Sequence, residues 1–174
     1  MPDSKLLLVT ERFRVEEVTR LLPEGRSRTR AIVRHPGAVA IIPMVDANHV
    51  CLIANYRVSV DQVLLEIPAG TLEPGEPPLA TAQRELLEET GYRAASLEPF
   101  ATFFLAPGIL DERMHIFLAQ GLVAGNTARE LGEEIENRIT PWEDALAMIF
   151  DGRIFDAKTI AALLMYDRVR RAAR

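Results

Sequence analysis

The 174-residue sequence contains a single cysteine, Cys51, so no internal disulfide can form and a reducing cytoplasm is the expected location. No apolar run approaches the roughly 18 residues that a membrane span requires, and the apolar stretch near the start is too short for a signal peptide. The three histidines, His35, His49 and His115, show no metal-ligand spacing. These absences exclude a disulfide-stabilised scaffold, a membrane-spanning helix and a histidine-based metal site.

Basic residues are fewer than acidic ones, because the sequence has 20 lysines and arginines but 25 aspartates and glutamates, which gives a net charge of −5. This balance argues against a nucleic-acid-binding protein. Hydrophobic residues make up 48% and charged residues 26%, which is ordinary for a globular domain. The length fits one folding unit.

Strand patterns dominate the first half of the chain, and helix patterns follow in the middle and at the end. We expect a β-hairpin centred on Glu11 and Arg12, a nearly all-apolar strand at 38–45 and a short strand at 102–105. Helices are expected at about 77–90, 141–149 and 157–170. This order predicts an α+β or α/β sandwich with a mixed sheet.

The helix predicted at 77–90 carries an unusual group of acidic residues. Glu85, Glu88 and Glu89 have the spacing i, i+3, i+4, which places three carboxylates on one face, with Arg84 at its edge. Like charges at this spacing repel, and they lie toward the helix C-terminus, where the helix dipole disfavours anions. A hard divalent cation such as Mg²⁺ would resolve this repulsion. The alternative is a solvated acidic face without a ligand.

The opposite side of this helix supplies its buried face, for which Leu79, Ala82 and Leu86 are the candidates. Cys51 lies among apolar neighbours and is interpreted as a core thiol, not a nucleophile.

The segment around this helix, GTLEPGEPPLATAQRELLEETGY, resembles the Nudix hydrolase signature, G-x5-E-x7-R-E-U-x-E-E-x-G-U, where U is a bulky apolar or aromatic residue. We call it the Nudix box. A chance match somewhere in the chain has odds of about 10⁻⁷ from average residue usage. All the defined positions of the signature are filled, by Gly70, Glu76, Arg84, Glu85, Leu86, Glu88, Glu89, Gly91 and Tyr92.

The segments that flank the Nudix box resemble the ADP-ribose pyrophosphatase branch of this family. They are HPGAVA at 35–40, YR at 56–57 followed by EIPAG at 66–70, and APG at 106–108 with DE at 111–112. The later segments GRI at 152–154 and DAKT at 156–159 also resemble this branch. The resemblance implies a Nudix fold, which is an α/β/α sandwich with a mixed β-sheet, here with an N-terminal antiparallel strand extension. It also implies hydrolysis of ADP-ribose to AMP and ribose 5-phosphate.

The resemblance also implies roles for individual residues. Glu85, Glu88 and Glu89, with the carbonyl of Ala69, are the expected ligands of Mg²⁺, with Mn²⁺ as the alternative. Arg84 is placed in the catalytic group, where it orients a box glutamate. Glu76, Gly70 and Gly91 are expected to be structural.

The general base is expected on an acidic loop after the Nudix box, where Glu133 and Glu134 are equal candidates and Glu112 is a weaker one. Arg57 and Glu66 resemble substrate contacts of this branch, and Arg57 would pair with a phosphate or stack on adenine. Pro107 and Glu112 complete the expected substrate-binding set.

The first 40 residues exceed the minimal Nudix fold, so we expect an N-terminal β extension at 1–40 and a Nudix hydrolase domain at 41–174. The apolar row Leu6 to Val9 needs burial, and proteins of this branch use such strands to form a homodimer. A homodimer is therefore expected; whether the strands are exchanged between subunits stays open.

Three other functions stay open at this point. In the first, the enzyme acts on GDP-mannose or another nucleoside diphosphate sugar. In the second, the fold serves as a non-catalytic nucleotide sensor. In the third, the acidic helix is only a solvated surface. In each of the first two cases the ligand is a small nucleotide sugar, with no nucleic acid or membrane partner.

Overall fold

The computed structural model describes residues 3–125 and 135–173 of the chain. Over these residues the fold has ten strands and three helices. In chain order they are β1 (Asp3–Val9), β2 (Arg14–Leu21), β3 (Ser27–Arg34), β4 (Ala38–Pro43), β5 (His49–Arg57), β6 (Gln62–Glu66), β7 (Ala69–Thr71), α1 (Pro78–Thr90), β8 (Tyr92–Phe104), β9 (Arg113–Ala124), β10 (Ile135–Pro141), α2 (Trp142–Phe150) and α3 (Ala157–Ala172).

The N-terminal strands form an antiparallel sheet of their own in the order β1-β2-β3. The expected hairpin is confirmed, and its turn is closed by Thr10, whose Oγ1 accepts from the Phe13 N–H (2.9 Å) and donates to the Phe13 carbonyl (2.7 Å). The row from Leu6 to Val9 stays exposed, with relative exposures between 49% for Leu7 and 64% for Val9.

The central sheet is mixed and has the order β7-β4-β9-β8, with β4 parallel to β9 and the other pairs antiparallel. Strand β4 is buried along its whole length, as its apolar sequence predicts. Strand β5 does not join this sheet but belongs to a third sheet, which is antiparallel and has the order β10-β5-β6. An apolar strand pattern predicts burial on both faces but does not specify which strand lies alongside.

The two faces of β4 are covered by different elements. Val39 and Ile41 pack with Ala82 and Leu86 of α1, while Ala40 and Ile42 belong to the larger core with residues of α2 and α3. Helices therefore lie on both sides of the mixed sheet, which confirms the predicted sandwich. No helix within the described ranges is both long and apolar enough to cross a membrane.

Two local expectations are wrong and one is confirmed. Leu79 is exposed instead of buried, because α1 turns only its Ala82 and Leu86 side toward the sheet. Strand β8 is much longer than the expected strand at 102–105, because a bulge between Pro99 and Ala101 lets it continue through the proline. Cys51 is fully buried, and its burial raises the pKa of the thiol to about 12.

Candidate active site

Helix α1 begins after Pro77, whose extended backbone leads into the first turn, and ends at Gly91, which has φ 77°. Such a left-handed residue favours glycine. Because Ala82 and Leu86 face the sheet, the acidic face of the helix is turned away from the core. The helix thus presents its carboxylates to the space between the mixed sheet and the N-terminal hairpin.

That space is a cavity of about 730 Å³, within the range of small-molecule sites. Its walls come from the hairpin turn, the end of β3, strand β5, the segment that begins at β7, helix α1 and the loop before β9. The lining residues are Val9 to Arg14, Arg34 to Pro36, Arg57, Ala69 to Pro74, Arg84, Glu85, Glu88, Glu89 and Asp111.

Arg84 contacts three carboxylates at once. Its Nη1 donates to Glu85 Oε1 (2.7 Å) and Glu88 Oε2 (2.9 Å), and its Nη2 donates to Glu76 Oε2 (3.1 Å). The hydrogen bond to Glu76 is the largest cause that raises the pKa of Arg84 and lowers that of Glu76. Thr81 also donates to Glu76 (2.8 Å). Arg84 therefore supplies the countercharge for the acidic face.

Glu89 is the most buried carboxylate of this face, with a relative exposure of 3%. Its Oε2 accepts a hydrogen bond from the Ala69 N–H (2.9 Å), which ties the end of α1 to strand β7. The neighbouring Glu85 carboxylate lies over Gly70, where only a residue without a side chain leaves room for it. Strand β7 therefore contacts two glutamates of the Nudix box, Glu89 through the Ala69 N–H and Glu85 at Gly70.

Arg57, the last residue of β5, lines the same cavity as α1 and is held by a buried carboxylate. Its Nε and Nη2 donate to Glu66 Oε1 and Oε2, both at 2.7 Å, in a bidentate pair. This pair raises the pKa of Arg57. Glu66 is fully buried and also pairs with Lys158 at the start of α3.

The structure brings together one part of the predicted site and leaves another part elsewhere. Arg57, Ala69, Arg84 and the three box glutamates line one cavity. Glu66 lies behind Arg57, outside the cavity lining, and Pro107 is exposed on a turn. Glu112 lies beside His35, 3.9 Å from its Nδ1.

The two base candidates, Glu133 and Glu134, lie outside the described residues. The predicted catalytic set is therefore represented in the structure by Arg84 alone.

Sequence reasoning missed the residues that the N-terminal extension adds to the cavity. Thr10, Arg12 and Phe13 lie in its wall, and Arg34 donates to Asp111 (3.0 Å) at its rim. It also missed Lys158. The sequence offered two signals for it, because the DAKT segment at 156–159 resembles the same family branch and the sequence has only two lysines, Lys5 and Lys158, among 20 basic residues.

The expected ligands agree in kind with a hard divalent cation, because Glu85, Glu88, Glu89 and the Ala69 carbonyl, which all line the cavity, offer only oxygen atoms. As the side chains stand, no three acidic, histidine or cysteine side chains in the described part of the chain converge on one point. Arg84 bridges Glu85 and Glu88, and Glu89 is turned to the Ala69 N–H. The donor set fits such an ion once Arg84 gives up a carboxylate.

Comparisons with known proteins agree with this geometry. The chain is 42% identical to an ADP-ribose pyrophosphatase of Bacillus subtilis (strain 168) over 151 residues, which are 86% of this chain and 80% of that protein. It is 30% identical to a GDP-mannose pyrophosphatase of Yersinia enterocolitica over 158 residues, 89% of this chain and 80% of the relative.

A crystal structure of an ADP compounds hydrolase superposes with a TM-score of 0.86 at 25% identity, covering 99% of this chain and 95% of the other. The NUDIX domain model matches residues 34–163, a range that contains the whole acidic helix and the helix that follows it. The chain therefore belongs to the Nudix family and has its hydrolase fold.

Proposed function

We propose that this protein hydrolyses the pyrophosphate bond of ADP-ribose to give AMP and ribose 5-phosphate. The observation that carries the proposal is that the three box glutamates and the Arg57 guanidinium line one cavity of about 730 Å³. The Bacillus subtilis relative supports the choice of substrate by its name.

Nudix hydrolases generally depend on a divalent metal, and we propose Mg²⁺ here, held by Glu85, Glu88, Glu89 and the Ala69 carbonyl. When bound, the cation withdraws charge from the pyrophosphate and lowers the pKa of an attacking water. Arg84 holds Glu85 and Glu88 in position and gives up part of this contact when the cation binds.

Arg57 supports the binding of the pyrophosphate. The bidentate pair with Glu66 fixes the guanidinium and uses two of its five N–H donors, which leaves the others for a phosphate oxygen. Phe13 in the hairpin turn offers an aromatic ring in the cavity wall for the nucleoside base.

For the general base we propose Glu133 or Glu134, with Glu112 as the third candidate. Each is replaced in turn by glutamine and assayed under saturating Mg²⁺. The base is the residue whose replacement lowers kcat by about 100-fold or more, because general-base catalysis is worth about that much. Small effects for both Glu133→Gln and Glu134→Gln would overturn their assignment.

We also propose that the protein is a homodimer joined through the N-terminal sheet. The exposed row from Leu6 to Val9 supports this, since four adjacent apolar residues at a sheet edge are costly to leave in water. The division at residue 40 into an extension and a Nudix hydrolase domain remains a proposal, as does the cytoplasmic location.

A panel of nucleoside diphosphate sugars tests the function. With Mg²⁺ present, we expect kcat/KM to be highest for ADP-ribose, with AMP and ribose 5-phosphate as products on anion-exchange chromatography. A clear preference for GDP-mannose would favour the second candidate, which the Yersinia enterocolitica relative supports. Binding without turnover would point to a nucleotide sensor. Hydrolysis in ¹⁸O-labelled water identifies the phosphorus that is attacked.

A further inference from the structure

Behind Arg57 the structure contains a row of four alternating charges, formed by Arg57, Glu66, Lys158 and Asp156, whose two middle members are buried. Lys158 donates from Nζ to Glu66 Oε2 and to Asp156 Oδ2, the latter at 3.0 Å. Glu66, which is fully buried, accepts the two hydrogen bonds from Arg57. Lys158 is itself only 7% exposed, so it is closed off from the cavity and from bulk water.

The electrostatic role of Lys158 follows from counting charges. Arg57 and Lys158 carry two positive charges, and Glu66 and Asp156 carry two negative ones, so the row is neutral. Without Lys158, the carboxylates of Glu66 and Asp156 would face only the Arg57 guanidinium, and the row would have a net charge of −1. A negative charge behind the phosphate site repels an anionic substrate.

We infer that Lys158 is a positioning residue for substrate binding, which neutralises Glu66 so that the charge of Arg57 remains available to the anion in the cavity. The inference rests on the proposed function, and Lys158 itself does not touch the substrate. Its place is set by α3, whose first turn is capped by Asp156 through the Thr159 N–H (3.0 Å).

The same turn also holds the backbone just after β6, and this contact provides a matched control. The Ile67 N–H donates to Thr159 Oγ1 (3.0 Å), and Thr159 in turn donates to Asp156 Oδ2 (2.5 Å). Thr159→Val removes this attachment and leaves the four charges in place. A purely structural role of the α3 turn would therefore affect both positions alike.

The kinetic test compares Lys158→Met with Thr159→Val, and with Lys5→Met at an exposed position of β1. For Lys158→Met we expect KM for ADP-ribose to rise about tenfold with kcat nearly unchanged, as when one charge-assisted contact is weakened. The two controls should leave KM within about twofold of wild type. An equal rise in Thr159→Val would overturn the inference.

A second substitution tests charge compensation directly. Asp156→Asn keeps a good N-cap residue and, together with Lys158→Met, returns the row to neutrality. The double variant should recover a KM within about threefold of wild type. Failure to recover in a folded double variant would show that the loss is structural and would overturn the inference.

A binding measurement on the wild-type protein does not depend on the variants folding. With ¹⁵N-labelled lysine the chain has two side-chain ammonium groups, Lys5 and Lys158. Saturation with α,β-methylene-ADP-ribose and Mg²⁺ should shift the NMR signal of Lys158 and leave that of Lys5 in place. An unchanged Lys158 signal at saturation would overturn the inference. If the wild-type enzyme hydrolyses no nucleotide sugar, the proposed function fails, and the same titration with inorganic pyrophosphate decides the inference alone.

Discussion

The carboxylate of Glu85 lies so close to Gly70 that a Cβ at position 70 would stand 1.8 Å from Glu85 Oε1 and 1.9 Å from its Cδ. The clash involves the end of a flexible side chain, so Gly70→Ala should displace Glu85 at little cost to the fold. We expect kcat/KM to fall by about 100-fold and the Tm to change by less than about 3 °C. Steady-state kinetics and thermal unfolding measure the two effects.

Gly108→Ala is the matched control for this change. A Cβ at position 108 would meet nothing within 4 Å. Its kcat/KM should stay within about twofold of wild type, as for most exposed substitutions. Wild-type activity in Gly70→Ala would contradict a role for the placement of Glu85.

Replacement of Glu89 tests the metal site. Glu89→Gln can still accept the hydrogen bond from the Ala69 N–H, so the fold should persist. Loss of the negative charge should weaken the binding of Mg²⁺ and lower kcat by about 100-fold or more. Isothermal titration with Mg²⁺ reports the affinity, and Glu98→Gln at an exposed position of β8 is the control. A Glu89→Gln variant with unchanged affinity would exclude Glu89 as a ligand.

Replacement of Arg84 tests the competition between its guanidinium and the metal. Arg84→Gln leaves Glu76, Glu85 and Glu88 without their shared countercharge, so the metal-free protein should lose about 1 kcal/mol, or about 2–4 °C in Tm. Mg²⁺ should then raise the Tm of the variant more than that of wild type. An equal rise in both proteins would argue against competition.

Acid stability tests the pair formed by Glu76 and Arg84. The hydrogen bond from Arg84 lowers the pKa of Glu76 below its ordinary value of 4.5. A lowered pKa in the folded state stabilises the protein above that ordinary value, and this stabilisation is lost as pH falls through the lower, folded-state pKa. The urea midpoint should therefore fall more in wild type than in Glu76→Gln between about pH 6 and about pH 3.5. Parallel losses in both proteins would remove Glu76 as a cause.

The exposed row on β1 predicts how the proposed dimer can be broken. The double variant Leu6→Glu, Leu8→Glu places charges within the apolar row from Leu6 to Val9, and this should favour a monomer. Light scattering coupled to size exclusion should give a mass near twice 19.4 kDa for wild type and near 19.4 kDa for the variant. A monomeric wild type would contradict the dimer.

Local patterns in the sequence predicted the parts of the site that lie on one element. The spacing of Glu85, Glu88 and Glu89 placed them on one helix face, and the glycine after Thr90 marked the helix end. The sequence did not reveal that Glu66 is buried between Arg57 and Lys158, because Lys158 lies 92 positions further along the chain. Pairings over such separations depend on how the elements pack, which no local pattern specifies.

The separation of β5 from the mixed sheet was missed for the same reason. Strands β4 and β5 are both apolar, and only a single bridge between Met44 and Val50 joins their ends in the part of the chain that the structure describes. The cavity residues of the hairpin turn, such as Phe13, were missed because the turn belongs to the separate N-terminal sheet, and no local pattern specifies that this turn lines the same cavity as α1.

The contribution of two different parts of the fold to one cavity has an evolutionary consequence. The turn from Thr10 to Phe13 and the carboxylates of α1 line one cavity, but the turn joins two strands of the N-terminal sheet, whereas α1 packs on the mixed sheet. Under the proposed function, mutations in the turn reshape the cavity without changing the residues of α1 that would hold the metal. A duplicated gene can therefore acquire a new preference among nucleotide sugars through a few changes near its start.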